Sequence, residues 1–305
     1  MRIFVSMIAL VALMLVAGVG ILAQDEEVAV PDRSSDDVIE RGEYLVRVEA
    51  SCVSCHGATG YEADPLGVAL VGGQPFEQEW GVVYAPNLTL VSEWTAEEIE
   101  VSIRYGQNPD GETLLPPMAY NLHSILADQD MEAIIAYLQS LTPEGDDVPD
   151  PEFVDDFTRD TVREVPEFDL EDEFDYPEGM EDDPLVRGYY LASATSHCMG
   201  CHGAINENGE AALNGIAASE LNPDMFPSLL QENIEFYPDD VIYEILADTS
   251  LAGMPTYSYQ YMPIEDYEAI VAWLRAQPYT SDWETLKEEN PDVTIFDLVG
   301  EAEEE

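Results

Sequence analysis

The sequence predicts an all-α fold built as two tandem units. Three observations carry that expectation: short helical segments with recognisable caps and stops, the lack of any convincing strand alternation, and internal repeats. "RGEYLV" from Arg41 returns as "RGYYLA" from Arg187, 146 positions on, and "AIIAYL" from Ala133 returns as "AIVAWL" from Ala269, 136 positions on. Each unit therefore runs helix, cysteine motif, long loop, helix, loop, helix. A chain of 305 residues is long enough for two modest cores.

Taken in order, residues 1–24 hold one positive residue, Arg2, followed by an apolar run from Ile3 to Ala23 that ends in acid. This reads as an export signal. The run exceeds the roughly 7–15 residues of an ordinary signal core and reaches the roughly 20 that span a bilayer, so cleavage and retention as an N-terminal membrane anchor both stay open. Either way, residues 25 onward are expected outside the cytoplasm, in the periplasm or on the extracytoplasmic face of the membrane. The first unit is expected over 35–142. Ser35 caps a helix that runs through "DDVIERGEYLVRVEA" to the cysteines, "TAEEIEVSIRYG" has a capping box from Thr95 to Glu98 and a stop at Gly106, and "DQDMEAIIAYLQSL" ends before Pro143.

Residues 143–183 are crowded with Pro, Asp and Glu, which predicts an acidic linker without a core of its own. Its aromatics, Phe153, Phe157, Phe168, Phe174 and Tyr176, predict a strap lying on the two domains. The second unit, 184–278, starts a helix at Asp183-Pro184, continues with "PDDVIYEILAD", and closes with "EDYEAIVAWLRAQ" before Pro278. An acidic tail occupies 279–305, with Trp283 and Phe296 as anchors.

The formal charge is −54, from 64 acidic residues against 10 basic ones, and Lys287 is the only lysine. Such a surface excludes nucleic acid as a partner, because that binding rests on neutralising phosphates with Lys and Arg. A protein partner with a basic docking surface fits, as does a high-salt environment that screens the charge.

All four cysteines fall in two motifs, "CVSCH" at Cys52, Cys55 and His56, and "CMGCH" at Cys198, Cys201 and His202. On a helical turn, positions i, i+3 and i+4 share one face, so three reactive side chains converge on one object. Paired zinc motifs usually lie some 15–20 residues apart, and these lie more than a hundred apart. A thioredoxin-type redox pair belongs near a strand-helix-strand pattern, which the sequence lacks. CxxCH is the attachment signature of c-type haem, with both cysteines joined to the haem edge by thioethers and the histidine ligating iron. Two such motifs predict two covalently bound haem c groups.

The sixth iron ligands are then Met118 and Met254, which precede Ala133 and Ala269 by the same interval. Met131, Met225 and Met262 read as packing residues. His123 reads as a partly exposed loop residue or, in place of Met118, as a ligand, and His197 faces away from its motif.

These motifs resemble tandem class I cytochrome c domains, and are most similar to the cytochrome subunits of membrane-bound bacterial alcohol and sugar dehydrogenases. "RGEYLV", "CVSCHG", "VYAPNLT", "WTAEEIEVSIRYGQNPDGETLLPPMAY" and "AIIAYLQSL" carry the likeness in the first unit, and "RGYYLA", "CMGCHG", "GMPTYSY" and "AIVAWL" in the second. Residues 204–236 depart from the pattern, and two haem motifs stand where those subunits usually carry three. The resemblance implies about three short helices packed round each haem, with Gly42 and Gly188 letting the first helix approach the last near Tyr137 and Trp273.

With both axial positions filled, the expected function is electron transfer rather than catalysis. Electrons would pass from a dehydrogenase or quinol-side donor to a downstream cytochrome or terminal oxidase, the chain itself serving as a dehydrogenase subunit. The alternatives are a dihaem redox enzyme of peroxidase or thiosulfate-oxidising type with one open or unusually ligated iron, and a building block whose acidic strap serves assembly.

Overall fold

The computed structural model describes residues 29–58, 64–118, 120–162, 173–196, 198, 202, 204–205, 211–212, 234–249 and 258–276. Helix α1 is Val38–Tyr44. Its N-cap is Asp37 rather than the expected Ser35: the Asp37 carboxylate accepts from Ile39 N at 3.0 Å and Glu40 N at 3.4 Å. A carboxylate cap gains a charge-assisted bond and interacts with the helix dipole, while Ser35 is left to donate to Glu40 Oε2 at 2.6 Å.

The helix then widens into a π turn, Leu45–Glu49, where Ala50 N donates to Leu45 O at 2.7 Å. Apolar periodicity gives no warning of this, because one widened turn does not alter the average period. Helix α2, Val53–His56, follows. Next comes a hairpin the sequence reading missed: β1 (Pro75–Gln78) pairs antiparallel with β2 (Gly81–Tyr84). Four-residue strands are too short for alternation to register, and Glu79-Trp80 is not one of the common turn dipeptides.

Helix α3, Ala96–Tyr105, has the expected reciprocal capping box from Thr95 to Glu98 and ends at Gly106 with φ 68°. The short α4 (Tyr120–His123) and the long α5 (Asp128–Ser140) complete the first unit. Strand β3 (Glu152–Phe153) and helix α6 (Arg159–Val162) lie in the inter-unit segment.

In the second unit, α7 (Pro184–Tyr190) is capped by Asp183 with Pro at its first position and widens into a second π turn, Leu191–Thr195. A two-stranded pair, β4 (Ala204–Ile205) and β5 (Ala211–Ala212), is followed by α8 (Asp239–Ala247) and α9 (Ile264–Arg275). No helix among the described residues is long and apolar enough to cross a membrane, and the 1–24 segment lies outside them. The tail from 277 onward also lies outside.

Each unit is closed by its first helix crossing its last. A Cβ on Gly42 would lie 1.9 Å from Ala133 O, and one on Gly188 would lie 2.0 Å from Ala269 O, so only glycine allows these backbones to meet. An ion pair locks each crossing: Arg41 to Asp130, and Arg187 Nε to Asp266 Oδ1 at 2.6 Å.

The two units do not stand apart. Tyr44 and Val48 of the first unit sit in the core with Leu191, Trp273 and Ala269, while Tyr190 and Ala194 of the second sit with Leu45, Ala133 and Tyr137. Tyr44 and Tyr190 are repeat equivalents, so the exchange is reciprocal. Tyr190 OH donates to Asp130 Oδ2 at 2.7 Å and accepts from Ala127 N at 3.0 Å. Ser51 Oγ bonds Ser258 Oγ at 2.8 Å, and Arg33 pairs with Asp266.

The inter-unit segment lies on the first unit. Phe153 brings β3 against β2 and stacks on Trp80 with ring centroids 5.8 Å apart. Phe174 lies under the Arg104 guanidinium at 4.4 Å, and Tyr176 OH donates to Asp130 Oδ1 at 2.6 Å. Phe157 is exposed instead, and Phe168 lies outside the described residues. Asn87 fixes the start of the segment, its Nδ2 donating to Glu144 O at 2.8 Å and Asp146 O at 3.2 Å.

Candidate functional site

The π turn delivers the chain to α2, where His56 N donates to Cys52 O at 2.9 Å and Cys55 N donates to the same carbonyl at 3.2 Å. One tight turn thus holds Cys52, Cys55 and His56 together, as their spacing predicts. Cys52 and Cys55 are partly exposed, whereas His56 is 8% exposed. Desolvation, with Cys55 adding, pushes the Cys52 thiol up to about 12. This thiol is therefore held protonated at neutral pH.

The ring of His56 is oriented by a carbonyl. Its Nδ1 lies 2.8 Å from Pro86 O, and a carbonyl only accepts, so Nδ1 carries the proton and Nε2 presents its lone pair. Burial lowers the imidazole below its ordinary value, the Pro86 bond opposing, which keeps it neutral. Two neighbours make that geometry possible. Gly72 (φ 63°) donates its N–H to His56 O at 2.8 Å, and any Cβ there would lie 2.4 Å from Pro86 O. Leu88 N donates to Leu70 O at 2.9 Å and pins the strand of chain carrying Pro86. The sequence reading assigns Gly72 and Pro86 no role, although Pro86 lies in "VYAPNLT", one of the segments that carry the family likeness; the signal for Gly72 was the "VGG" tripeptide.

A neutral imidazole with its second nitrogen committed to a carbonyl, beside two cysteines on the same turn, fits a c-type haem: thioethers at Cys52 and Cys55, iron at His56 Nε2. The described residues bring no group of three or more His, Cys, Asp or Glu side chains together as a cage for a bare metal ion. Met118 is partly exposed in the turn after Pro116-Pro117, its N–H donating to Leu115 O at 3.2 Å.

His123 departs from the reading as a partly exposed loop residue. It is buried on α4, with Nδ1 3.4 Å from Ala194 O of the second π turn, and burial pushes it down to about 4, His56 adding. It packs there because α4 faces the joint between the units. Met131 and Met262 are buried in the cores, while Met225 and His197 lie outside the described residues.

In the second unit Cys198 and His202 are partly exposed, with Cys198 Sγ 3.8 Å from Ser196 O. Cys201 and Met254 lie outside the described residues. The segment before Cys198 is tied down by Tyr259, whose hydroxyl donates to Ser196 O.

Residues 39–142 match the family model described as cytochrome c, and residues 185–274 match that described as cytochrome c oxidase, cbb3-type, subunit III. The gluconate 2-dehydrogenase cytochrome c subunit of Pantoea cypripedii is 30% identical over 182 residues, covering 56% of this chain and 39% of that protein. The fructose dehydrogenase cytochrome subunit of Gluconobacter japonicus is 27% identical over 295 residues, 90% of this chain and 59% of that protein. The cytochrome c subunit of alcohol dehydrogenase (quinone) from Gluconacetobacter polyoxogenes is 25% identical over 294 residues, 86% of this chain and 60% of that protein. The chain thus spans between 39% and 60% of the length of these relatives.

Proposed function

Because the chain is built of two cytochrome c-type domains, we propose that it is a dihaem electron carrier, taking electrons from a dehydrogenase or quinol-side donor and passing them to another cytochrome or a terminal oxidase. The observation that carries this is the His56 ring, neutral, buried and fixed by Pro86 O with Nε2 left to bind iron. A haem at each site supplies a one-electron Fe(III)/Fe(II) couple. The protein residues hold and shield it. Cys52 and Cys55 in the first unit, with Cys198 and Cys201 in the second, would form the thioethers, and His56, Met118, His202 and Met254 would supply the ligands to iron.

The dehydrogenase names of the relatives support a place beside such an enzyme, and the apolar run from Ile3 to Ala23 supports export, with or without a retained anchor. Soft thioether ligands favour ferrous iron, so both sites should be low-spin with fairly high potentials. A pyridine haemochrome assay should find two covalent haems per chain, and one after Cys52→Ala with Cys55→Ala. The reduced protein should not bind carbon monoxide at an appreciable rate, whereas Met118→Ala should. Two haems in the double variant sink the attachment assignment; rapid carbon monoxide binding by the unsubstituted protein turns the reading toward the dihaem enzyme.

A further inference from the structure

Glu49 is the last residue of the first π turn, three positions before Cys52, and is 4% exposed. Its repeat equivalent is Thr195, the last residue of the second π turn and three positions before Cys198. The two meet at the joint, where Thr195 favours the charged form of the Glu49 carboxylate. Glu49 thus stands three positions before one cysteine motif and beside the residue that stands three positions before the other.

The groups around it come from both units. Arg187 attracts its charge, while Asp130 of α5 and Asp266 of α9 oppose it; Arg41, Tyr44 and Tyr176 also feel it. Arg33 enters through its pair with Asp266. With the three arginines Arg33, Arg41 and Arg187 set against Asp130, Asp266 and Glu49, the cluster is neutral when Glu49 is ionised and carries one positive charge when it is protonated.

The network is also unequal across the joint. Tyr190 OH donates to Asp130 Oδ2, whereas the equivalent atoms, Tyr44 OH and Asp266 Oδ2, are buried without a hydrogen-bond partner among the described residues. The cluster thus keeps two buried polar atoms whose hydrogen-bonding capacity is unspent.

We propose that Glu49 is a proton-binding site coupled to the redox state of both haem sites, an inference that rests on the two-haem reading. When a one-electron donor reduces either site, the site's charge falls by one, and a proton from solvent forms an O–H bond on the Glu49 carboxylate. When the electron leaves for the acceptor, that bond breaks and the proton returns to solvent. Desolvation, opposed by Arg187, raised further by the two aspartates and opposed by Thr195, pushes Glu49 up to about 7, where a modest change in nearby charge alters its occupancy.

The test is potentiometry of the purified holoprotein from pH 6 to 8, with haem counted by pyridine haemochrome and redox-difference infrared spectra taken alongside. Reduction should become harder as pH rises, by up to tenfold in the equilibrium per pH unit, and a carboxyl C=O band should appear on reduction. Glu49→Gln should abolish both the slope and the band while keeping two haems. A flat profile in the unsubstituted protein, an unchanged slope in Glu49→Gln, or no carboxyl band in the unsubstituted protein overturns the inference alone. The band is read without the variant, so poor folding of Glu49→Gln does not shield it. A haem count below two overturns the reading beneath it and the inference with it.

Discussion

Glu49 is one of 64 acidic side chains, and nothing in its neighbourhood in the sequence separates it from the solvated majority. Burial does, and it has a consequence for stability as well as for redox chemistry. A carboxyl held up to about 7 in the fold binds its proton more tightly than in the unfolded chain, where the ordinary value is 4.5. Its contribution is therefore fully present below pH 4.5 and is lost as pH rises toward 7. Glu49→Gln should be more stable than the parent at pH 8, by on the order of 2 kcal/mol, with the gain vanishing near pH 4; urea titrations at the two pH values measure it. The turn that gathers Cys52, Cys55 and His56 was legible because local helical geometry fixes which residues share a face. The partners of Arg41 and Arg187 were not. Both arginines stand in the repeated hexapeptides, but Asp130 and Asp266 lie 89 and 79 positions away, and only packing brings them near.

Helices whose ends carry their own chemistry were read well: α3 between Thr95 and Gly106, and α7 from Asp183-Pro184, begin or stop where their caps lie. The β1–β2 hairpin and both π turns escaped because neither leaves a mark on residue type. At the helix crossings, the sequence reading of Gly42 and Gly188 agrees with Ala133 O and Ala269 O being too near for any side chain. Gly188→Ala should accordingly destabilise the protein by about 2–4 kcal/mol, even though alanine favours helices, because a backbone carbonyl cannot swing aside. Thr95→Ala, which removes a cap on an exposed turn, should cost only about 1 kcal/mol. Thermal unfolding of the two variants ranks them, and an equal effect would contradict the crossing geometry.

Across the whole molecule, a formal charge of −54 should steer a partner with a basic face. Electron-transfer rates with a basic cytochrome should fall as ionic strength rises, and a flat salt dependence would assign the charge to solubility or salt tolerance instead. The repeats made two units legible from sequence, but not their mutual burial: Tyr44 and Tyr190 look like ordinary helix residues until each is found in the other unit's core. That exchange joins the two units through a shared core close to both cysteine motifs. Under the two-haem proposal, an electron crossing from one site to the other would need no encounter and no domain swing. The internal transfer should therefore be indifferent to solvent viscosity and to protein concentration, while the steps to donor and acceptor follow both. Flash photolysis in graded glycerol would separate the two clocks, and slowing of the internal phase would show that the joint opens during turnover.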